Sequence, residues 1–345
     1  MTVPRLFVRF ACLAALAWAA ALSPWPAWAA AGDGTAESAE DEAYAGVLAA
    51  HEEERAQIEA ATAALAEDPE LEEAVLAYQD SLAASEEMAQ HETAFSEALE
   101  QDAELERRLE AYEAAAAAEP EAEGELAAYD SLLAAEPELA ERVQAVEEAA
   151  AADPEGAEAH AAAIAHLEAH PAEAESFFAE ESGPVYAGRD AALVAYAAYL
   201  RAHPGLHRAW WRLHDFVRLH PRVARPVHRH WRWRAERTQL WRAGWRWRVY
   251  TAQRSAVHRI VWGRRLYYGR HPERVRWHWR HRLVVARRPH LRAQVRFLRQ
   301  RPTIARAIAH HRHWVRTHRP VKPAPVRKRP PRAAPPPKPQ KPRRR

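Results

Sequence analysis

The chain has 345 residues, with 49 Lys and Arg against 47 Asp and Glu for a net charge of +2, and a single cysteine. One cysteine excludes an internal disulfide framework, and the sequence has no Gly-rich phosphate loop, no nucleophile elbow and no zinc-protease helix, so a non-enzymatic protein without cofactor is expected. Much of the apolar fraction is alanine, which buries little area, so an elongated architecture with a thin core is expected.

In chain order, Arg5 and Arg9 precede an apolar run from Phe10 to Leu22, then Pro24, Pro26 and the small residues of Ala27-Trp28-Ala29. This is the layout of a secretory signal peptide over residues 1–29, removed together with Cys12, and it predicts export to the periplasm or beyond. No later stretch has the ~18 consecutive apolar residues of a membrane span. Residues 30–46 are predicted to be an acidic, poorly ordered leader.

From Val47 a period of 17 residues sets in, of which Leu133 to Ala149 is a representative unit. With the unit's proline as origin, the slots fall at Glu52, Pro69, Glu86, Ala103, Pro120, Pro137, Pro154 and Pro171. After a one-residue slip to Ala187 they continue at Pro204, Pro221, Thr238, Ser255, Pro272 and Pro289, with a shortened step to Pro302. Apolar residues recur two, six, nine and thirteen places after many of the slots, as at Leu139, Val143 and Val146 or Leu206, Trp210 and Leu213. Those offsets form one stripe on a helix.

In Asp68-Pro69-Glu70 and Asp153-Pro154-Glu155 an acidic N-cap precedes proline at the first helical position and glutamate in the first turn; Glu136-Pro137-Glu138 follows the same pattern. Each unit is therefore predicted to be one helix of about 12 residues plus a connector, too short to stand alone. The fold class is all-α, tandem 17-residue single-helix repeats forming a solenoid or elongated bundle, with a disordered C-terminal tail. The alternative is one long kinked helix.

Two units match the length of a tetratricopeptide repeat, and Asp153 to Ala172 resembles part of one, but the Trp, Leu-Gly and Tyr signature is missing and no peptide groove carries over. Leu200-Arg201-Ala202-His203-Pro204-Gly205-Leu206 is similar to the Leu-x-x-His-Pro-x-Leu repeat of uncharacterised secreted bacterial proteins. Leu219-His220-Pro221-Arg222-Val223 and Leu167-Glu168-Ala169-His170-Pro171 match it in part. That resemblance implies a repeat architecture and no function.

The charges are segregated. Residues 31–183 hold 43 acidic and 4 basic side chains, and residues 184–345 hold 4 acidic and 43 basic ones. Acidic helical repeats (47–183) thus give way to basic, Trp/Arg/His-rich ones (184–319), ending in a Pro/Lys/Arg tail (320–345). The halves could pair with each other, within one chain or between copies as a homo-oligomer. The basic half could equally contact an anionic polymer or an anionic membrane surface, through Trp211, Arg212, Arg229, Trp231, Arg232 and Trp233, and through Arg246, Arg248, Arg276, Trp279 and Arg280. Trp210 and Trp247 fall on the apolar stripe and are assigned to the core. Among the histidines, His278 with His281 and His310 with His313 have the helical spacing of a metal-binding pair, but no third ligand is implied and the surrounding arginines oppose a cation.

Overall fold

The computed structural model describes residues 36–179, 184 and 188–318. The expected signal peptide, the start of the leader and the tail from 320 onward lie outside the described residues, as does the charge switch at 182–183. Among the described residues there are eighteen α-helices and no strand, so the chain is all-α.

The acidic half supplies α1 (Ala36–Ala50), α2 (Arg55–Glu67), α3 (Pro69–Ala83), α4 (Glu86–Gln101), α5 (Ala103–Ala117), α6 (Ala122–Ala135), α7 (Pro137–Ala151), α8 (Pro154–Ala159), α9 (Ala161–Ala169) and α10 (Pro171–Phe177). The basic half supplies α11 (Ala191–Ala202), α12 (Pro204–Leu219), α13 (Pro221–Ala235), α14 (Thr238–Ala252), α15 (Ser255–Gly269), α16 (Pro272–Ala286), α17 (Arg292–Gln300) and α18 (Pro302–His318).

Most slots are helix starts, including those without proline at Glu86, Ala103, Thr238 and Ser255. The helices are longer than the stripe implies: a typical unit is 15 residues of helix, leaving one or two residues as connector. The connectors at Asp68 (φ −129°, ψ 92°) and Asp102 (φ −140°, ψ 93°) are extended, which breaks the helical hydrogen-bond ladder and excludes one long kinked helix. The leader is corrected as well, since α1 is helical and Tyr44, Val47 and Leu48 pack against a core shared with α18.

Capping explains the punctuation. Asp68, Ser85, Asp102, Asp153 and Asp190 each accept a hydrogen bond from a backbone N–H in the first turn that follows. Glu136 stands at the same place without a side-chain cap bond. In the basic half the residue before the slot faces the other way. The Nδ1 atoms of His203, His220 and His271 lie 2.9, 2.7 and 2.8 Å from the carbonyl oxygen four residues earlier. Arg237, Arg254 and Arg288 donate to the equivalent carbonyls at 2.7, 3.3 and 2.7 Å. The slot thus mostly caps the following helix with an acid in the first half and the preceding helix with a base in the second, with Ser85 and His170 as the exceptions in the first half.

Consecutive helices touch, but the larger contacts run between the halves. The basic half folds back along the acidic one, α12 on α7, α13 on α6 and α9, α14 on α5 and α7, α15 on α4 and α6, α16 on α3, α5 and α6, and α18 on α1 to α3. The result is a two-armed repeat bundle rather than a single-file solenoid. All four apolar clusters draw residues from both arms; Ile58, Leu65 and Leu71, for example, join Val284, Ile304 and Ile308. The core is also less thin than composition implies, because indoles and phenols of the basic arm, such as Trp241 and Tyr268, are fully buried in clusters that include alanines of the acidic one. At Gly269 the arms approach so closely that an added Cβ would lie 2.2 Å from the backbone oxygen of Asp130.

Candidate functional site: an acid–base seam and an arginine face

The two sets of capping slots meet. Arg288 bonds Asp68, with Nη2 to Oδ1 at 2.9 Å. Arg254 pairs with Asp102 at 3.0 Å, Arg237 with Glu119 at 2.9 Å and His203 with Asp153 at 3.3 Å. Ser85 shares a 2.6 Å hydrogen bond with Tyr267, whose carbonyl is capped by His271. The two residues of each ion pair stand equally far in sequence from Phe178, so the seam runs in antiparallel register along both arms. The Arg288 guanidinium holds the Asp68 carboxyl below the usual carboxylate range.

A second row lies deeper. Glu113, Asp130 and Glu147 step by 17 residues and pair with Arg282 (2.6 Å), Arg265 (2.5 Å) and Arg248 (3.3 Å), which step by 17 in the opposite direction. Indoles complete it: Trp279 donates to Asp130 at 2.8 Å, Trp262 to Glu147 at 3.1 Å and Trp241 to Glu168 at 2.6 Å. The same step sets Trp245 against Ile164 in place of a carboxylate, and the Trp245 indole nitrogen is buried without a hydrogen-bond partner. Arg234 is bonded to Glu168, and Arg264 to Glu92, with Nη2 to Oε2 at 3.1 Å. Burial would raise the Glu92 carboxyl, but the Arg264 guanidinium and the phenols of Tyr78 (2.6 Å) and Tyr268 (2.9 Å) outweigh it and hold the group below its ordinary value. Burial and the nearby Arg234 charge lower Arg248 to about 10, which leaves it cationic at neutral pH.

These rows dispose of several candidate contact residues. Trp231, Trp233 and Trp279 are buried in the core, and Arg248 belongs to the inner row, so assigning them to a polymer-facing surface is corrected. The single-stripe pattern places them off the core face, but a helix gripped by two helices of the opposite arm buries a wider arc. Arg246 is bonded to Glu158 (Nε to Oε1 2.8 Å), and Arg280 lies 3.5 Å from Glu73 and over the Trp277 ring. Arg276 is exposed on α16, one turn before Arg280. Arg212 is exposed and Trp211 half-buried on α12, and Arg212 lines a groove together with Glu138 and Glu141.

What the fold brings together is one face of α13. Arg229 and Arg232 are joined there by Arg222 and Arg225, and the spacing of three, four and three, visible in the sequence, is that of one helical face. The opposite face of α13, with Val223, Val227, His230 and Trp231, is buried. Arg222, Arg225 and Arg232 are exposed and have no ion-pair partner among the described residues; Arg229 lies 3.5 Å from Glu125. Arg225, Arg229 and Arg232 line an open groove with His228 and Arg237.

The histidine pairs fare differently. Both ring nitrogens of His278 face guanidiniums, Arg264 at 3.5 Å and Arg282 at 3.3 Å, and the ring of His281 is stacked on Tyr78. His310 meets Asp80 at 3.1 Å, whereas His313 faces Arg316 at 3.4 Å. Neither pair is joined by a third ligand among the described residues.

No family model matches the chain, and neither the curated proteins nor the solved structures contain a match to it.

Proposed function

We propose that this is an exported, non-enzymatic scaffold that binds an anionic envelope polymer through the arginine face of α13, with the acidic arm serving as internal counter-ion for the rest of the basic arm. The observation that supports it is the residual charge. After Asp68, Glu92, Asp102, Glu113, Asp130 and Glu147 have taken up their partners, Arg222, Arg225 and Arg232 remain as a row of exposed guanidiniums on one rigid helix. Guanidiniums in such a row match phosphate or carboxylate groups repeated along a chain. Binding should be salt-dependent because each contact releases a counter-ion.

Titrating full-length protein with a labelled single-stranded oligonucleotide, a generic phosphodiester polyanion, over a range of salt tests this. Arg222→Ala/Arg225→Ala/Arg229→Ala/Arg232→Ala should lower the salt slope by roughly 0.7 per contact removed. Unchanged affinity and slope in that variant would show that α13 is not the binding face. A second function, a purely structural charge-paired repeat protein, is favoured by the pairing of Glu113, Asp130 and Glu147 with Arg282, Arg265 and Arg248. It predicts no binding by the full chain even at low salt.

A further inference from the structure

We propose that His166, His170 and Glu173 form a binding site for a divalent metal ion of the zinc class at the junction of α9 and α10. The three side chains each place one ligand atom within 4.8 Å of the other two, so drawing in by under about an ångström would let them meet one ion bonded at ~2.0–2.2 Å. His166 stands in the last turn of α9, His170 is the junction residue, and Glu173 lies in the first turn of α10. One helical turn separates the imidazoles, whose rings stack at 4.2 Å. Pro171 then starts the next helix at a sharp corner, and this returns the Glu173 carboxylate to within 2.9 Å of His166 Nε2.

Three features suit the cluster to a cation. His170 Nδ1 lies 2.8 Å from the His166 carbonyl oxygen, which can only accept, so Nδ1 carries the proton and the tautomer presents Nε2 as a ligand. A backbone carbonyl holding the far nitrogen of an imidazole is the usual outer support of a metal-bound histidine, fixing ring and tautomer. No guanidinium contacts either imidazole among the described residues. This is the reverse of the setting of His278. His170 is exposed, and the side chains of His166 and Glu173 are 37% and 33% exposed, so an ion can enter and solvent can complete its coordination. Two imidazole nitrogens and one carboxylate suit Zn²⁺, Ni²⁺ or Cu²⁺ and are too nitrogen-rich for Ca²⁺ or Mg²⁺.

The site stands apart from the α13 arginines and does not rest on polymer binding. Calorimetric titration of the full-length protein with Zn²⁺ tests it, with His170→Ala, Glu173→Gln and the control His310→Ala. The wild type and the control should share one tight equivalent. His170→Ala should weaken that equivalent by about 100-fold or more, because a direct ligand matters at least as much as the outer partners whose loss costs 10–100-fold. Glu173→Gln keeps a hydrogen-bonding group beside His166 but removes the anionic ligand, and should weaken binding also. His170→Ala and Glu173→Gln proteins that both bind Zn²⁺ as the wild type does would overturn the proposal.

Discussion

Replacing Arg264 with methionine removes the guanidinium from Glu92 and leaves an aliphatic side chain of similar length among Phe95, Tyr78 and Tyr268. Glu92 is 6% exposed and would remain a buried carboxylate held only by two phenol hydrogen bonds. Breaking a buried pair from one side costs ~3–5 kcal/mol, since the abandoned charge keeps its desolvation penalty. For a chain of this size that is a fall in Tm of roughly 6–10 °C, taking ~2 °C per kcal/mol. The pH dependence should change sign. In the wild type the depressed Glu92 carboxyl adds stability above its unfolded value of 4.5, and this is lost as pH falls through the lower folded value. Without Arg264, burial is opposed only by the two phenol hydrogen bonds and raises the folded value, so the variant's deficit should be largest at pH 7 and shrink toward pH 4.5 as Glu92 takes up a proton. Urea unfolding at pH 7 and pH 5, followed by circular dichroism, measures both. A variant within 1 kcal/mol of the wild type at pH 7, or a deficit that grows on acidification, would refute the reasoning.

Burial lowers His214 from 6.5 to about 3, so the folded state keeps it neutral while the unfolded state is protonated below pH 6.5. Stability should therefore fall by ~1.4 kcal/mol per pH unit below 6.5 on its account, and His214→Phe, which can keep the 4.6 Å stack on Phe178, should remove one proton from the slope of stability against pH. Gly269→Ala should cost ~1–3 kcal/mol in chemical denaturation, because its methyl would strike the Asp130 backbone rather than a movable side chain. Salt tests what joins the arms. It screens the half-buried seam but not the four shared apolar clusters, so sedimentation should report the same compact particle at roughly 0.05 and 0.5 M salt. Expansion at high salt would make the seam, not the core, the principal bond between them.

The helices themselves were legible because punctuation is local chemistry: Pro69, Pro137, Pro204 and Pro272 start helices where the period places them, and Asp68 and Asp153 cap as their side chains allow. Helix length was underestimated because the stripe records one buried face and says nothing about how far the backbone ladder runs on either side. The tryptophans were misplaced for a related reason. Trp231 and Trp279 lie off that stripe, yet partners on two sides bury them, and only the tertiary pairing supplies the second side. Segregation of charge signalled pairing, but its register did not follow from segregation. The register was present in a finer pattern, with acids at 68, 102, 119 and 153 mirrored by bases at 288, 254, 237 and 203. The cluster at His166, His170 and Glu173 was missed because its third member lies beyond a proline corner, where helical spacing no longer predicts proximity.

The mirror register about Phe178 also governs how the chain can fold. In an ordinary solenoid each unit docks on its predecessor, and growth can begin anywhere. Here the partners of a pair such as Asp153 and His203 are near in sequence, while Glu54 and Arg301, 2.7 Å apart, are separated by nearly the whole described chain. Joining the outer pair first would close a very long loop, but once the inner pairs have formed, each further one adds only two units to a loop already closed, and closure cost grows slowly with length. Assembly should therefore zip outward from the fold-over, with α1 and α18 docking last and coming undone first. Amide exchange should be slowest near α7 and α12, and rise toward the two open ends.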